Sequence, residues 1–179
     1  MLSKEGNRMK QISGNLLDLA EAGQFDLIVH GCNCFCTMGA GLAKTIRQHY
    51  PEAFAADAAT VAADRNKLGT YSIATIRRGP VEFLIVNAYT QYDWRGRHIK
   101  ADYDAIRSVF ARLRQTFPDK RIGYPLIGAG LARGDWKLIS SIIEAELAGM
   151  DHALVVLPNQ EPPTKFCAIS LTRPIHHGK

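Results

Sequence analysis

Two segments of the chain share one design, in which an apolar run is followed by a Gly-Ala-Gly triplet and a helical pattern. In the first, Leu-Ile-Val-His at 27–30 precedes the triplet at 39–41. In the second, Tyr-Pro-Leu-Ile at 124–127 runs directly into the triplet at 128–130. Small residues let the backbone approach a ligand closely, and the following helix offers unpaired N–H groups and the positive end of its dipole. One such loop is often only a turn, but two in one chain predict a diphosphate held from both sides.

The hydrophobic pattern predicts strands that alternate with helices. Strands are expected at 9–13, 25–30, 70–76, 81–88, 121–127 and 153–157, a short helix or turn at 16–20, and helices at 39–50, 52–64, 101–117 and 136–147. The strands at 70–76 and 81–88 form a hairpin around the turn at 77–80. We therefore expect an α/β fold with a mixed sheet covered by helices on both faces.

The length of 179 residues favours one domain, at 9–159, with terminal extensions at 1–8 and 160–179. The first eight residues are polar, unlike a signal peptide, and no run approaches the roughly 20 apolar residues that cross a bilayer. We therefore expect a cytoplasmic protein without a membrane partner. The formal charge of +5 favours anionic ligands such as phosphates, nucleotides or nucleic acid.

Two well-known phosphate-binding patterns are absent from the sequence. It has no Gly-x-x-x-x-Gly-Lys-Ser/Thr, so a P-loop kinase or ATPase is excluded. It also has no Gly-x-Gly-x-x-Gly, which leaves a Rossmann dinucleotide site unsupported.

Four motifs stand out along the chain. They are Ile-Ser-Gly-Asn-Leu at 12–16, His-Gly-Cys-Asn-Cys at 30–34, Met-Gly-Ala-Gly-Leu-Ala at 38–43, and Pro-Leu-Ile-Gly-Ala-Gly-Leu at 125–131 followed by Trp136. Together they resemble the motifs of a macrodomain, the family that binds ADP-ribose. They occur in the family's order across roughly residues 9–158. The sequence is most similar to the branch that holds the yeast ADP-ribose 1''-phosphate phosphatase and the human hydrolase of terminal ADP-ribose on glutamate.

The resemblance implies a three-layer α/β/α fold and a set of ligand contacts. Asn15 stands where most macrodomains have an Asp that accepts from the adenine amino group, and Leu16 offers backbone contacts beside it. Asn33 matches the Asn that bonds the distal ribose. The two glycine loops line the ribose and the phosphates, through Met38, Gly39, Ala40 and Gly41 in the first and Ile127, Gly128, Ala129, Gly130 and Leu131 in the second. Outside the family context, both asparagines can equally be turn residues.

Two residues are candidates for catalysis. His30 ends a predicted strand, where an imidazole can act as nucleophile, acid or base, and the yeast phosphatase has a histidine at the corresponding place. A structural histidine that bonds the loop backbone is the alternative. Asp135 follows the second loop, where it either activates water or caps the helix that begins at Trp136.

One departure from the family limits the reaction. The human glutamate-linked hydrolase uses a Lys after the middle strand and an Asp after the second glycine loop. The matching stretches here, Val-Asn-Ala-Tyr at 86–89 and Leu-Ala-Arg at 131–133, carry neither residue. The first loop also lacks the long pattern of Asn and Gly found in the broad hydrolytic macrodomains. The lysine-dependent mechanism is therefore unsupported, and binding is better supported than any one reaction.

Two further clusters have open interpretations. Cys32, Cys34 and Cys36 are expected to pack inside the loop rather than bind a metal, because structural zinc sites space their ligands as Cys-x-x-Cys and gather a second pair. A reactive thiolate is a further alternative. The basic and aromatic residues at 89–100 form either a rim beside the cleft, a solvated loop, or a surface for nucleic acid.

The resemblance implies a macrodomain that needs no cofactor and hydrolyses an ADP-ribose derivative. Dephosphorylation of ADP-ribose 1''-phosphate stands ahead of release of ADP-ribose from a protein or nucleic acid. A non-catalytic reader of ADP-ribosylated targets is the first alternative, and a nucleic-acid-binding domain is the second.

Overall fold

The computed structural model describes residues 9–160. The predicted extensions therefore lie outside the described residues, apart from Gln160. Within 9–160, no helix has the length and apolar character that a membrane crossing requires.

The described chain contains six strands and five helices. The strands are β1 (Lys10–Ser13), β2 (Leu27–Asn33), β3 (Tyr71–Arg78), β4 (Val81–Gln91), β5 (Ile122–Tyr124) and β6 (His152–Val156). The helices are α1 (Leu16–Glu21), α2 (Gly41–His49), α3 (Pro51–Ala58), α4 (Tyr103–Thr116) and α5 (Trp136–Glu146), with one 3₁₀ turn at Arg65–Lys67.

All six strands form one sheet in the order β1-β6-β5-β2-β4-β3. Strand β3 is antiparallel to β4, and every other neighbouring pair is parallel. The predicted hairpin and mixed sheet are confirmed.

Apolar side chains pack against both faces of the sheet. One core lies beneath α4 and α5, where four of the five residues of the apolar stripe predicted within 101–117 are buried and the fifth, Phe117, is partly buried. The four are Ile106, Val109, Phe110 and Leu113. A second core lies beneath α1, α2 and α3, to which Leu16, Ile46 and Ala53 contribute. The three-layer α/β/α fold is therefore confirmed.

Strand β2 is longer than predicted and continues from His30 to Asn33. Its neighbour β4 is longer too, and the two strands pair His30 with Asn87 and Cys32 with Tyr89. The prediction that His30 ends a strand is wrong, because this pairing carries the strand further. His30 therefore lies within the sheet, where its ring can be buried.

Two other predicted elements end early. Helix α3 ends at Ala58 rather than at residue 64, and Ala63 has a positive φ of 61°, which a right-handed helix does not allow. Strand β5 ends at Tyr124 rather than at 127, because Pro125 has no N–H to donate to a ladder. Residues 125–127 therefore belong to the second glycine loop.

The parallel strands bring the predicted loops to one edge of the sheet. Strands β1, β2, β5 and β6 run in the same direction, so the segments that follow β1, β2 and β5 emerge together. In open α/β sheets, ligands bind outside the carboxyl ends of the strands. The topology thus places the candidate site at this edge.

Candidate ligand-binding cleft

A cleft of about 1200 Å³ opens at the carboxyl ends of the strands. Both glycine loops, the start of α1 and the segment after β4 line it. It brings together His30 and every residue predicted to bind the ligand, namely Asn15, Leu16, Asn33, Met38, Gly39, Ala40, Gly41, Ile127, Gly128, Ala129, Gly130 and Leu131. Asp135 is the one predicted site residue that does not line it.

The backbone of the second glycine loop bonds to itself at one point and leaves several N–H groups free. Gly128 has a φ of 72°, and its carbonyl accepts a 2.7 Å bond from the N–H of Gly134. Among the described residues, no acceptor meets the N–H groups of Gly128, Gly130 and Leu131. Such free N–H groups at a cleft wall are suited to bind an anion.

The first glycine loop offers the same chemistry from the other side. Helix α2 begins at Gly41 rather than at Gly39 as predicted, and Gly41 has a φ of 55°. No side chain caps this end of α2, so its first N–H groups are free within the described structure. The loops meet across the cleft, since Leu131 Cδ1 lies 3.5 Å from the position that a Cβ on Gly41 would take.

The side chain of Asn33 shapes the first loop. Its Oδ1 accepts from the N–H of Phe35 at 2.8 Å, and its Nδ2 donates to Thr37 Oγ1 at 2.8 Å. The turn role that the sequence left open is therefore present. One N–H of the amide is still available to a ligand.

Asn15 caps α1. Its Oδ1 accepts from the N–H of Leu17 at 2.9 Å and lies 3.5 Å from that of Asp18. The oxygen that we expected to meet adenine is thus engaged by the helix, while the amide nitrogen has no partner among the described residues. Asn15 therefore has an amide N–H free to donate on the cleft side of α1, while its oxygen is already engaged.

His30 is buried in the cleft floor, with 2% of its surface exposed. Burial lowers its pKa to about 4, so the ring is neutral near pH 7. Its Nε2 lies 2.7 Å from Asn87 Oδ1, and Asn87 Nδ2 donates to the carbonyl of Ala53 at 2.8 Å. Because that carbonyl can only accept, the amide orientation is fixed and Nε2 must carry the proton. The lone pair of His30 is therefore on Nδ1, which lies 3.7 Å from the sulfur of Cys32, whose thiol can donate to it.

Asp135 occupies the capping position of α5. Its Oδ1 accepts from the N–H of Lys137 at 2.9 Å, and its own N–H donates to the hydroxyl of Tyr103. This geometry matches the capping alternative raised from the sequence. A catalytic role for Asp135 stays a prediction, and nothing in its position at α5 adds to it.

The cysteines pack within the loop and against its neighbours. Cys36 Sγ lies 3.2 Å from the carbonyl oxygen of Asp57, and Cys34 Sγ lies 3.7 Å from that of Gln91. Burial raises the pKa of the Cys34 thiol to about 11, and it raises that of Cys32 too. Both thiols are protonated near pH 7, which removes the reactive-thiolate alternative for these two. Within residues 9–160, no three His, Cys, Asp or Glu side chains are grouped to hold a metal ion.

Aromatic residues form a rim beside the cleft. Trp94 lines the cleft and is 47% exposed, and the ring of Phe35 packs edge-on against Trp94 and Tyr92 at centroid distances of 5.5 and 5.2 Å. The guanidinium of Arg95 lies 4.9 Å from the Phe35 centroid. The segment at 89–100 thus borders the cleft, as the first of its interpretations requires.

Sequence reasoning missed a buried carboxylate in the cleft wall, Asp57, and the buried Lys67 beside it. Asp57 lines the cleft with 1% of its surface exposed, and Lys67 Nζ lies 3.8 Å from Asp57 Oδ1. The burial of Asp57 could have been predicted, because it follows Ala53 by four residues and therefore lies on the same buried face of an alanine-rich helix. Lys67 follows in a short turn and carries no such signal.

Comparison with known proteins identifies the family. The model described as the Macro domain matches residues 29–143, which is more than half of the chain. The chain belongs to the Macro domain family. This macrodomain is 31% identical to an uncharacterized 17.5 kDa protein from the tk–vs intergenic region of Enterobacteria phage T4, over 82% of this chain and 95% of the phage protein.

Solved structures share the fold. The macrodomain of Mycobacterium tuberculosis DarG superposes with a TM-score of 0.65 at 20% identity, over 84% of this chain and 98% of that one. Thermosipho africanus DarTG, solved in complex with ADP-ribose, gives 0.60 at 15% identity, over 78% of this chain and 40% of that one. At these identities, the likeness establishes the fold.

Proposed function

We propose that the cleft of this macrodomain binds ADP-ribose, free or attached to a macromolecule. The observation that carries the proposal is the pair of glycine loops, which carry free N–H groups, line one cleft and approach each other at Gly41 and Leu131. A diphosphate between them can accept from both walls and from the start of α2. Asn15 and Asn33 line the same cleft, and each has a spare N–H group that this proposal assigns to the adenine and to the distal ribose, respectively. A neighbour of the same fold has been solved with ADP-ribose.

We further propose that the bound molecule is hydrolysed, with ADP-ribose 1''-phosphate as the first substrate to test. In that reaction, water attacks phosphorus, the bond to the ribose oxygen breaks, and ADP-ribose and phosphate are released. The neutral ring of His30 has a lone pair on Nδ1 with which to orient or deprotonate the water, once the water takes the place of the Cys32 thiol that lies 3.7 Å from Nδ1. Its low pKa makes it a weaker base than an ordinary histidine, which favours the orienting role.

The test is a turnover assay run beside a binding assay. The protein and its His30→Gln variant are incubated with ADP-ribose 1''-phosphate and with ADP-ribosylated protein and nucleic acid, and released phosphate or ADP-ribose is quantified. We expect turnover that H30Q reduces by about 10²-fold or more while binding is retained. His49→Gln is the matched control, because His49 is exposed and lies outside the cleft. Binding without turnover of any of these substrates would instead identify a reader of ADP-ribosylated targets.

Exposed Trp94 at the cleft rim, beside Arg95 and Arg97, favours nucleic acid as a second candidate ligand. Its signature is binding of unmodified oligonucleotides that weakens steeply with added salt. Such binding in the absence of any affinity for ADP-ribose would replace the first proposal.

A further inference from the structure

A buried carboxylate stands in the wall of the cleft without a complete set of partners. Asp57 lies on the buried face of α3, one turn after Ala53, and is 1% exposed. It lines the same cleft as His30 and Asn33. The resemblance to the family gave it no role.

One oxygen of this carboxylate is satisfied. The hydroxyl of Tyr89 donates to Asp57 Oδ1 at 2.9 Å, and Lys67 Nζ lies 3.8 Å from the same atom. Lys67 is itself held by the carbonyl of Cys34 at 3.2 Å and by Cys36 Sγ at 3.1 Å. An ammonium group beside a buried carboxylate compensates the cost of burying it, and Lys67 stands in that position next to Asp57.

The other oxygen has no partner. Asp57 Oδ2 is buried, and it accepts no hydrogen bond from residues 9–160. Buried polar atoms in native proteins are almost always bonded, and an exception indicates a water or a ligand that completes the site. Because Asp57 contributes to the cleft wall, the cleft is where such a donor would enter.

A chain of hydrogen bonds joins Asp57 to His30. Asn87 Nδ2 lies 3.0 Å from Ser72 Oγ, and Ser72 Oγ lies 3.0 Å from the Tyr89 hydroxyl. The Tyr89 proton goes to the Asp57 carboxylate, which can only accept, so the Ser72 hydroxyl donates to Tyr89. Every proton in the chain from His30 through Asn87 thus points towards Asp57. The chain ends at Oδ1, which accepts from Tyr89 at 2.9 Å, and it leaves Oδ2 for another donor.

We propose that Asp57 Oδ2 accepts a hydrogen bond from a hydroxyl group of the bound ligand's distal ribose. This rests on the proposed binding of ADP-ribose. The distal ribose is the part assigned to the first loop, and Asp57 contacts that loop, because the Cys36 thiol donates to its carbonyl. A carboxylate is a strong acceptor for a hydroxyl and repels phosphate, so Asp57 selects the sugar end of the ligand over the diphosphate.

The test combines a protein variant with ligands that lack one hydroxyl. Calorimetric titrations of wild type and Asp57→Asn are run with ADP-ribose, with its 2''-deoxy and 3''-deoxy analogues, and with ADP. We expect wild type to bind one of the deoxy analogues about ten- to a hundredfold more weakly than it binds ADP-ribose. D57N should bind that analogue and ADP-ribose with about the same affinity. The affinity for ADP should be the same in both proteins. Asp64→Asn is the matched control, because Asp64 caps the 3₁₀ turn outside the cleft.

Each outcome decides a separate point. The role of Asp57 would be overturned if the deoxy analogues lost as much affinity for wild type as for D57N, or if they lost none for wild type. Either result would leave the proposed binding of ADP-ribose standing. Failure of wild type to bind ADP-ribose would overturn the proposed function itself. If D57N does not fold, a crystal structure of wild type with ADP-ribose decides instead. A ribose hydroxyl about 3 Å from Oδ2 supports the assignment, and its absence there overturns it.

Discussion

His30 Nε2 and Asn87 Oδ1 lie 2.7 Å apart, face to face across neighbouring strands β2 and β4. The bond settles the tautomer of the histidine, because Asn87 is held by a backbone carbonyl and can only accept through Oδ1. A neutral ring with a defined lone pair therefore lies in the floor of the cleft. Its protonation is the most accessible test of this arrangement.

The burial of His30 predicts a pH dependence of stability. Its pKa is about 4 in the folded state, against an ordinary value of 6.5, so below pH 6.5 the unfolded chain binds the proton first. The contribution of His30 is complete above pH 6.5 and is lost as the pH falls towards 4. The free energy of unfolding should fall over this interval by about 3 kcal/mol more in wild type than in His30→Gln.

The measurement is denaturant unfolding of both proteins at several pH values. Burial also lowers the pKa of His152, which shifts stability in the same direction, so the His30 contribution is read from the difference between the two proteins. Parallel curves for wild type and H30Q would show that His30 titrates normally and is not buried as described.

The capping role of Asn15 predicts that one substitution changes the stability of the fold and another changes the selectivity for the base. Asn15→Ala removes the acceptor for the first turn of α1 and should lower the unfolding free energy by about 1 kcal/mol. Asn15→Asp caps equally well and should leave stability nearly unchanged. Its carboxylate should raise the preference for ADP-ribose over the hypoxanthine analogue, because it can accept from the adenine amino group. Thermal unfolding and competition binding measure the two effects, and a fully stable N15A would contradict the cap.

The glycines of the second loop differ in what they tolerate. Gly128 has a φ of 72°, and a Cβ there would lie 3.1 Å from Ile139 Cδ1, so Gly128→Ala should destabilise the fold by about 1–3 kcal/mol. Gly130 has open space around its Cβ position, so Gly130→Ala should change stability by less than about 0.5 kcal/mol. Because Gly130 lines the cleft, G130A should still weaken ADP-ribose binding by about tenfold. Unchanged affinity in a folded G130A would argue against a close approach of the ligand to this loop.

The local pattern predicted the scaffold of the site. The two glycine triplets are visible because each follows an apolar run and precedes a helical stripe, and the stripe in α4 marks its buried face directly. Motif order then placed Asn15, Asn33 and the loops, and the structure gathers them at one cleft. The β2 extension was hidden, because Gly31 and the residues after it have no strong strand preference.

The partners of the buried polar residues could not be predicted from local sequence. In the sequence, the stretch that contains Asn87 showed only that the lysine of the human glutamate-linked hydrolase is missing. The bond from Asn87 to His30 depends on the register between β2 and β4. Asp57 and Lys67 meet because α3 ends early and the chain turns back beneath the first loop. Such contacts depend on tertiary packing, which helical and strand periodicity do not encode.

The most direct test of the central claim is calorimetric titration of wild type with ADP-ribose, with ADP and AMP as controls. The arrangement of the two loops and Asn33 predicts clear binding of ADP-ribose, weaker binding of ADP and still weaker binding of AMP, as the distal ribose and then one phosphate are removed. No detectable heat and no thermal shift with ADP-ribose would contradict the assignment of this cleft.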